Sequence, residues 1–259
     1  MSTQTVMLPE TPAEAKSGGG VVLQRLVRAP FHESPNHMLY HADCLELLET
    51  APDAWVDAIV TDPPFAMTGG ISNGVTAASD SQFFEHWLVD VLKQCIRVVK
   101  PEGCMFFWCD WRTAAVLDRA LARASIRYEP WSLSQMIVHD REMIGMGKPF
   151  RNQCDWIAVV RGLRTDWKDR VPNNTPNIFR EYSYYGKHDN HPSEKTVTAA
   201  ERLVKWAAEP GGTVLDPFCG SATTLVACKH TGRFGVGIER DETHVATAKR
   251  RCEQDAMNL

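Results

Sequence analysis

Short apolar runs alternate along this chain with longer stretches whose apolar residues return every three or four positions. The first run, His37 to Ala42, reads as a strand ending at Asp43, and Cys44 to Leu48 turns away from it as a helix. Val56 to Thr61 is a second strand. It stops at Asp62 because Pro63 and Pro64 each remove a backbone donor and restrict the residue before them. A helix over about 81–99 puts Phe84, Leu88, Val91, Cys95 and Val98 on one face, and Pro101-Glu102-Gly103 punctuates it. Cys104 to Cys109 is almost entirely apolar, as a strand covered on both faces must be. Thr113 to Ala124 is helical, with Val116, Leu117, Ala120, Leu121 and Ala124 inward, and strands follow at about 131–138 and 155–160. The rhythm resumes with a helix at about 195–208, a strand Thr213 to Leu215 and a helix at about 222–230. A strand Phe234 to Ile238 and a helix at about 241–253 complete it. This alternation predicts an α/β fold, an open sheet with helices on both faces.

Three stretches stand outside that rhythm. Residues 1–36 carry Pro9, Pro12 and Gly18-Gly19-Gly20 and read as a peripheral segment with at most a short strand at Val21-Val22-Leu23. The rest, 37–259, reads as one domain. Within it, 66–80 is a Gly/Ser/Thr/Asn-rich loop with the small polar residues of a lid. Residues 161–190 have few aliphatics, several turn residues and the aromatics Trp167, Phe179, Tyr182, Tyr184 and Tyr185, which reads as an insertion rather than a core element.

Composition narrows the class of function. The 28 Lys+Arg against 32 Asp+Glu leave a formal charge of −4 over 259 residues, which argues against coating nucleic acid by bulk electrostatics but leaves room for a local basic groove. The insertion is mildly basic: Arg161, Arg164, Lys168, Arg170, Arg180 and Lys187 stand against Asp166, Asp169, Glu181 and Asp189. No run approaches the apolar length that spans a bilayer and the N-terminus has no secretion pattern, so a cytoplasmic protein without a membrane partner is expected. The 8 cysteines form no Cys-x-x-Cys pair and sit mostly in apolar segments, so neither a metal site nor a disulfide framework is expected. His139, His188 and His244 lack ligand-like companions, the tryptophans read as core or rim packing, and Lys249-Arg250-Arg251 suits the end of a helix.

Two strand ends carry candidate chemistry. After Val214-Leu215 comes Asp216-Pro217-Phe218-Cys219-Gly220-Ser221, a strand end, glycine turn and helix start, and Glu239 follows the next strand. A carboxylate at Asp216 repels a pyrophosphate and suits a ligand with a positive amino group, while Glu239 stands where an acid can accept both ribose hydroxyls of an adenosine. The alternative is an ordinary strand-helix unit in which Asp216 only caps the helix. At the other strand end, the prolines of Asp62-Pro63-Pro64-Phe65 hold the Asp62 carboxylate and the Pro63 carbonyl as two fixed acceptors. Such a pair can grip the hydrogens of an –NH2 group, and Phe65 can stack on the ring that bears it. As a bare string, this tetrapeptide is equally a turn with a buried phenylalanine.

Taken in order, these motifs resemble the S-adenosylmethionine-dependent DNA amino-methyltransferases of the permuted arrangement, in which the catalytic motif precedes the cofactor motif. The resemblance covers about 37–253 and implies a Rossmann-like methyltransferase sheet with a short inserted target-recognition segment at 161–190. It implies catalytic roles for Asp62, Pro63, Pro64 and Phe65, which match the family's Asp/Asn/Ser-Pro-Pro-Tyr/Phe. S-adenosylmethionine is the implied cofactor. Asp43 and Cys44 match the family's adenine segment, and His191, Ser193 and Lys195 match the His-Pro-Thr-Gln-Lys-Pro segment that holds the methionine end. Asp216, Phe218, Gly220, Ser221, Thr223 and Thr224 match the Asp-Pro-Phe-x-Gly-Ser-Gly-Thr-Thr loop, and Glu239 matches the ribose acid. Gly145-Met146-Gly147, Phe150-Arg151-Asn152 and Asp155 resemble the segment before the last sheet strand.

The implied reaction is transfer of a methyl group to the exocyclic amine of a flipped base in double-stranded DNA. Because Asp opens the tetrapeptide, adenine N6 is favoured over cytosine N4. A homodimer and a cognate restriction nuclease are the further partners implied. The competing readings are an amine on RNA or on a protein glutamine, a catalytically weak DNA-binding module of the same fold, and a nicotinamide-dependent dehydrogenase. Asp216 and the single turn glycine count against the dehydrogenase. The chain departs from the family at Ala222, where glycine is usual, and at Glu194 and Thr196, where Gln and Pro are usual. A backbone that needs positive φ at 222 would make the alanine costly.

Overall fold

The computed structural model describes residues 14–16, 22–24, 26, 28–65, 71–72, 75–76, 81–125, 130–142, 144–145, 149–167, 170–181 and 195–254. The strands are β1 (Glu14–Lys16), β2 (Val22–Gln24), β3 (His32–Ser34), β4 (His37–His41), β5 (Val56–Thr61), β6 (Ile71–Ser72), β7 (Val75–Thr76), β8 (Val99–Cys109), β9 (Trp131–Asp140), β10 (Cys154–Gly162), β11 (Ile178–Arg180), β12 (Thr213–Asp216) and β13 (Phe234–Glu239). The helices are α1 (Cys44–Glu49), α2 (Ser81–Val98), α3 (Trp111–Ala124), α4 (Val197–Ala207), α5 (Thr223–Thr231) and α6 (Glu242–Glu253). Pairs β1-β2 and β6-β7 stand apart, and the other nine strands form one sheet in the order β11-β9-β10-β8-β5-β12-β13-β4-β3. The fold is the open α/β sheet with helices on both faces expected from the alternation, in the Rossmann-like arrangement the motifs implied.

Burial on both faces follows directly from the apolar strands. Met105, Phe107 and Cys109 of β8 join the cluster built on α1, α2 and α3, while Cys104, Phe106 and Trp108 join the cluster built on α4. Strands β8, β5, β12, β13 and β4 run parallel. From β5 the chain steps through α2 to β8, and from β12 it steps through α5 to β13 in the opposite direction across the sheet. The order therefore reverses between β5 and β12. In open α/β sheets such a reversal opens a crevice at the strands' carboxyl ends.

Several boundaries differ from expectation for physical reasons. Strand β8 runs through Pro101-Glu102-Gly103 instead of beginning after it. Its register against β5 jumps from Val56↔Val99 to Ala58↔Cys104, so the intervening residues bulge out of the ladder. Pro101 therefore costs no ladder hydrogen bond in the regular part. The segment read as peripheral supplies the antiparallel edge strand β3 and one core side chain, Leu26. The stretch read as an insertion supplies β11, which pairs parallel with β9 and buries Phe179 against Trp206 and His139. Among the described residues no helix is long and apolar enough to cross a membrane.

Candidate active site

The crevice between β5 and β12 is closed at its floor by one hydrogen bond. Thr61 Oγ1, on the last residue of β5, donates to Asp216 Oδ1, on the last residue of β12, at 2.6 Å. The two candidate strand ends, 155 positions apart in the chain, are thus neighbours. Asp62 follows Thr61 directly and is half-buried, Pro63 is buried and Phe65 half-buried. Strand direction and two prolines set the backbone of Asp62 and Pro63 at the carboxyl end of β5, at the crevice.

Asp216 is sealed at 3% exposure. Burial is the largest influence on it and pushes its carboxyl up to about 6. Hydrogen bonds from Thr61, Thr224 and the Phe218 N–H oppose that rise, and the nearby charge of Asp62 adds to it. A buried carboxyl held this way gains most from a cationic ligand.

The turn after β12 is shaped by backbone and by one arginine. Gly220 has φ +49° with nothing within 4 Å of where a Cβ would stand, and its N–H donates to Glu239 Oε2 at 2.9 Å. The other Glu239 oxygen accepts from Asp241 N at 2.8 Å, so both oxygens are aligned by backbone. Ala222 adopts φ 68°, ψ 32° at the N-terminus of α5, the left-handed geometry that glycine takes freely and alanine pays for. The loop has kept the glycine conformation, and the Ala222 methyl is buried among Leu39, Cys219, Leu225 and Val245. Helix α5 can approach β13 this closely because residue 237 is glycine, where a Cβ would meet Leu225 Cδ1 at 2.8 Å and Cys219 Sγ at 2.9 Å.

Arg251 lies in the last turn of α6, where a basic run suits the dipole, and nothing local in the sequence marks its further role. Its Nη1 donates to Ser221 O at 2.8 Å, Ser221 Oγ at 2.6 Å and Thr223 Oγ1 at 3.1 Å, so α6 clamps the turn. Ser221 and Thr223 are thereby turned toward this clamp. Thr224 Oγ1 donates to Val60 O at 3.5 Å, and Phe218 packs on Trp87 with ring centroids 5.6 Å apart.

Asp43 and Cys44 lie two strands along, where β4 ends beside Glu239, joined by Ala42 N to Glu239 O at 3.0 Å. Asp43 caps α1, its Oδ1 accepting from Leu45 N at 2.9 Å, and burial pushes the Cys44 thiol up to about 12. His191 and Ser193 lie outside the described residues. The Lys195 Nζ donates to Asp62 Oδ2 at 2.8 Å. The same nitrogen stands 5.4 Å from the ring centres of Phe65 and Trp108.

The basic residues of 161–190 divide between the two ends of the sheet. Strand β10 runs antiparallel to β8 and pairs Arg161 with Cys104, so it finishes at the end away from Asp62. There Thr165 Oγ1 donates to Gly103 O, and Arg170 bonds Trp206 O and Glu209. Arg180 closes β11 at the Asp62 end, beside Asp140 at 3.5 Å. Lys168, Lys187 and nearly all of the 66–80 loop lie outside the described residues. His139 has companions that the sequence did not reveal. It is buried with Nδ1 3.8 Å from Asp155 and Nε2 3.7 Å from Glu181.

The sequence profile described as DNA methylase matches residues 56–250. The Type II methyltransferase M.BamHI of Bacillus amyloliquefaciens is 27% identical over 81% of this chain, which corresponds to 56% of that protein's length. The DNA adenine methyltransferase YhdJ of Escherichia coli (strain K12) is 27% identical over 83% of this chain and 82% of its own. The structure of PvuII DNA methyltransferase (cytosine-N4-specific) superposes with a TM-score of 0.72 at 18% identity, covering 91% of this chain and 92% of that one. With the strand ends, the glycine turn and the profile in agreement, the chain belongs to the DNA methylase family, the S-adenosylmethionine-dependent DNA amino-methyltransferases.

Proposed function

We propose that the protein methylates N6 of adenine in double-stranded DNA, the target base leaving the helix stack to reach Asp62. The observation that carries the proposal is the junction of the two strand ends, Thr61 Oγ1 on Asp216 Oδ1 at 2.6 Å, which puts the amine-gripping tetrapeptide beside the cation-suited carboxylate. S-adenosylmethionine, when bound, supplies an electrophilic methyl group on a sulfonium. The chain's own residues fit such a ligand. Asp216 is a buried carboxyl that a positive amino group would favour as the anion, and Gly220 leaves open space above the turn. Phe218 and Thr224 shape the same turn, Ser221 and Thr223 hold its conformation through Arg251, and Glu239, Asp43 and Cys44 line the adjoining strand ends. By resemblance, His191 and Ser193 complete the set.

An exocyclic amine is a poor nucleophile because its lone pair is shared with the ring. The Asp62 carboxylate and the Pro63 carbonyl accept its two hydrogens, draw the nitrogen toward tetrahedral geometry and localise the pair. Positioning and preorganised acceptors then carry the rate. Phe65 offers stacking that offsets part of the few kcal/mol (about 2–4) needed to extrude a base. In this reading Asp62 takes the proton that the methylated nitrogen sheds. Recognition of flanking sequence belongs to the part of the insertion at the Asp62 end, around Arg180. A second copy of the chain would extend so short a recognition element, and a cognate restriction nuclease would complete the system.

Cytosine N4 is the second reading, because it presents the same kind of amine and the PvuII enzyme of similar fold is cytosine-N4-specific. The Asp at position 62 and the adenine-methylating relative YhdJ favour adenine. The test is incubation with methyl-labelled S-adenosylmethionine and unmodified DNA, followed by digestion to nucleosides. Label on N6-methyladenine supports the proposal; label on N4-methylcytosine, or none on DNA, contradicts it.

A further inference from the structure

We propose that Lys195 is a positioning residue for the carboxylate that receives the target amine, holding Asp62 Oδ2 so that the amine is directed to Oδ1. This rests on the reading of Asp62 given above. Asp62 stands one residue beyond β5, where the ladder no longer restrains it; its Oδ1 is buried, while Oδ2 meets a cation. That cation is the Lys195 ammonium, 2.8 Å from Oδ2, on a side chain only 12% exposed against 32% for Asp62.

The lysine is itself held. Its Nζ sits 5.4 Å from both the Phe65 and the Trp108 ring centres, within reach of two cation–π contacts. Its backbone is anchored by the next residue: Thr196 Oγ1 accepts from Ala199 N at 3.3 Å as the cap of α4 and donates to Glu181 Oε2 at 3.3 Å. These contacts lie on the amine side of the crevice, with the tetrapeptide and the strand beside it. The role is geometric, because the ammonium takes up charge on Asp62 and does not add to it. What it secures is which carboxylate oxygen faces the base.

The test compares Lys195→Gln and Lys195→Arg with the unaltered protein. Turnover is measured at saturating cofactor and DNA, and S-adenosylmethionine binding is measured separately at equilibrium. Lys195→Gln is expected to lose roughly 10- to 100-fold in kcat, the penalty of a misplaced acceptor. Its cofactor Kd stays within about twofold of the unaltered protein. Lys195→Arg, whose guanidinium also reaches a carboxylate, recovers a large part of the turnover. Full kcat in Lys195→Gln overturns the inference. So does a weakened cofactor Kd with kcat retained at saturation, or an arginine variant no better than glutamine. Asp62→Ala run alongside separates the two levels. If it keeps turnover, the amine reading itself has failed; if it is inactive while Lys195→Gln is fully active, only the lysine's role has failed.

Discussion

At the scale of single residues, Asp216 is where folding and function pull against each other. Its carboxyl rises from 3.8 to about 6 on folding, so the native state holds the proton more tightly than the unfolded chain. The stability from this group is full below the unfolded value and is lost as pH rises through the folded one. The loss amounts to about 3 kcal/mol by pH 7. Asp216→Asn, which carries no titrating proton, is therefore expected to gain in urea midpoint relative to the unaltered protein as pH climbs from 4 to 7. Parallel midpoints across that range would contradict the burial argument. A cationic ligand reverses the sign: cofactor affinity is expected to rise through pH 6 and then level off, a trend calorimetry can follow.

Ala222 gives a second residue-scale test. Its left-handed backbone costs about 1–2 kcal/mol, which glycine would relieve, whereas Ala227 lies buried inside α5 in ordinary helical geometry. Both alanine-to-glycine changes forfeit a buried methyl group. Ala227→Gly also loses about 1 kcal/mol of helix propensity, while Ala222→Gly recovers strain, so the second is expected to be cheaper by about 2 kcal/mol. Equal losses in denaturant titration would show that the loop pays nothing for its alanine.

At the scale of elements, the inserted stretch matters most, because its two halves go to opposite ends of the sheet. Strand direction alone sends Arg161 and Arg164 away from the crevice and brings Arg180, its side chain 73% exposed, to the crevice end. Arg161→Ala with Arg164→Ala is expected to leave DNA affinity and its salt dependence unchanged. Arg180→Ala should weaken binding and reduce the slope of log K against log salt by about one. The opposite pattern in filter or anisotropy binding would move the DNA to the other end of the molecule. Phe179 shows why this split was not legible beforehand. A three-residue strand with a single inward side chain has no periodicity to detect, and its packing on His139 at 4.9 Å and on Trp206 makes it a core element. Strand β8 was hidden differently, since its bulge at Pro101-Gly103 carries the composition of a turn while the strand continues through it.

At the scale of the whole molecule, the account depends on the reversal of strand order between β5 and β12. Much of this was readable in the chain. Buried strands such as Cys104 to Cys109 announce themselves by having no polar face, and Asp62 and Asp216 are each marked by a following proline that ends a strand. Contacts that join distant elements were not readable. Arg251 reaches Ser221 across 30 positions and Lys195 reaches Asp62 across 133, and no local pattern encodes either distance. Motif order singled out Lys195 but not its contact with Asp62, because resemblance carries a position without its partner.

The most direct test of the central claim, that one crevice joins an amine-gripping carboxylate to a methyl-donor pocket, is Asp62→Ala assayed in two ways on the same preparation. Transfer of labelled methyl to DNA and equilibrium binding of S-adenosylmethionine are measured together. The account predicts transfer lost by several orders of magnitude with cofactor affinity nearly unchanged. A variant that still methylates DNA at most of the original rate would contradict it.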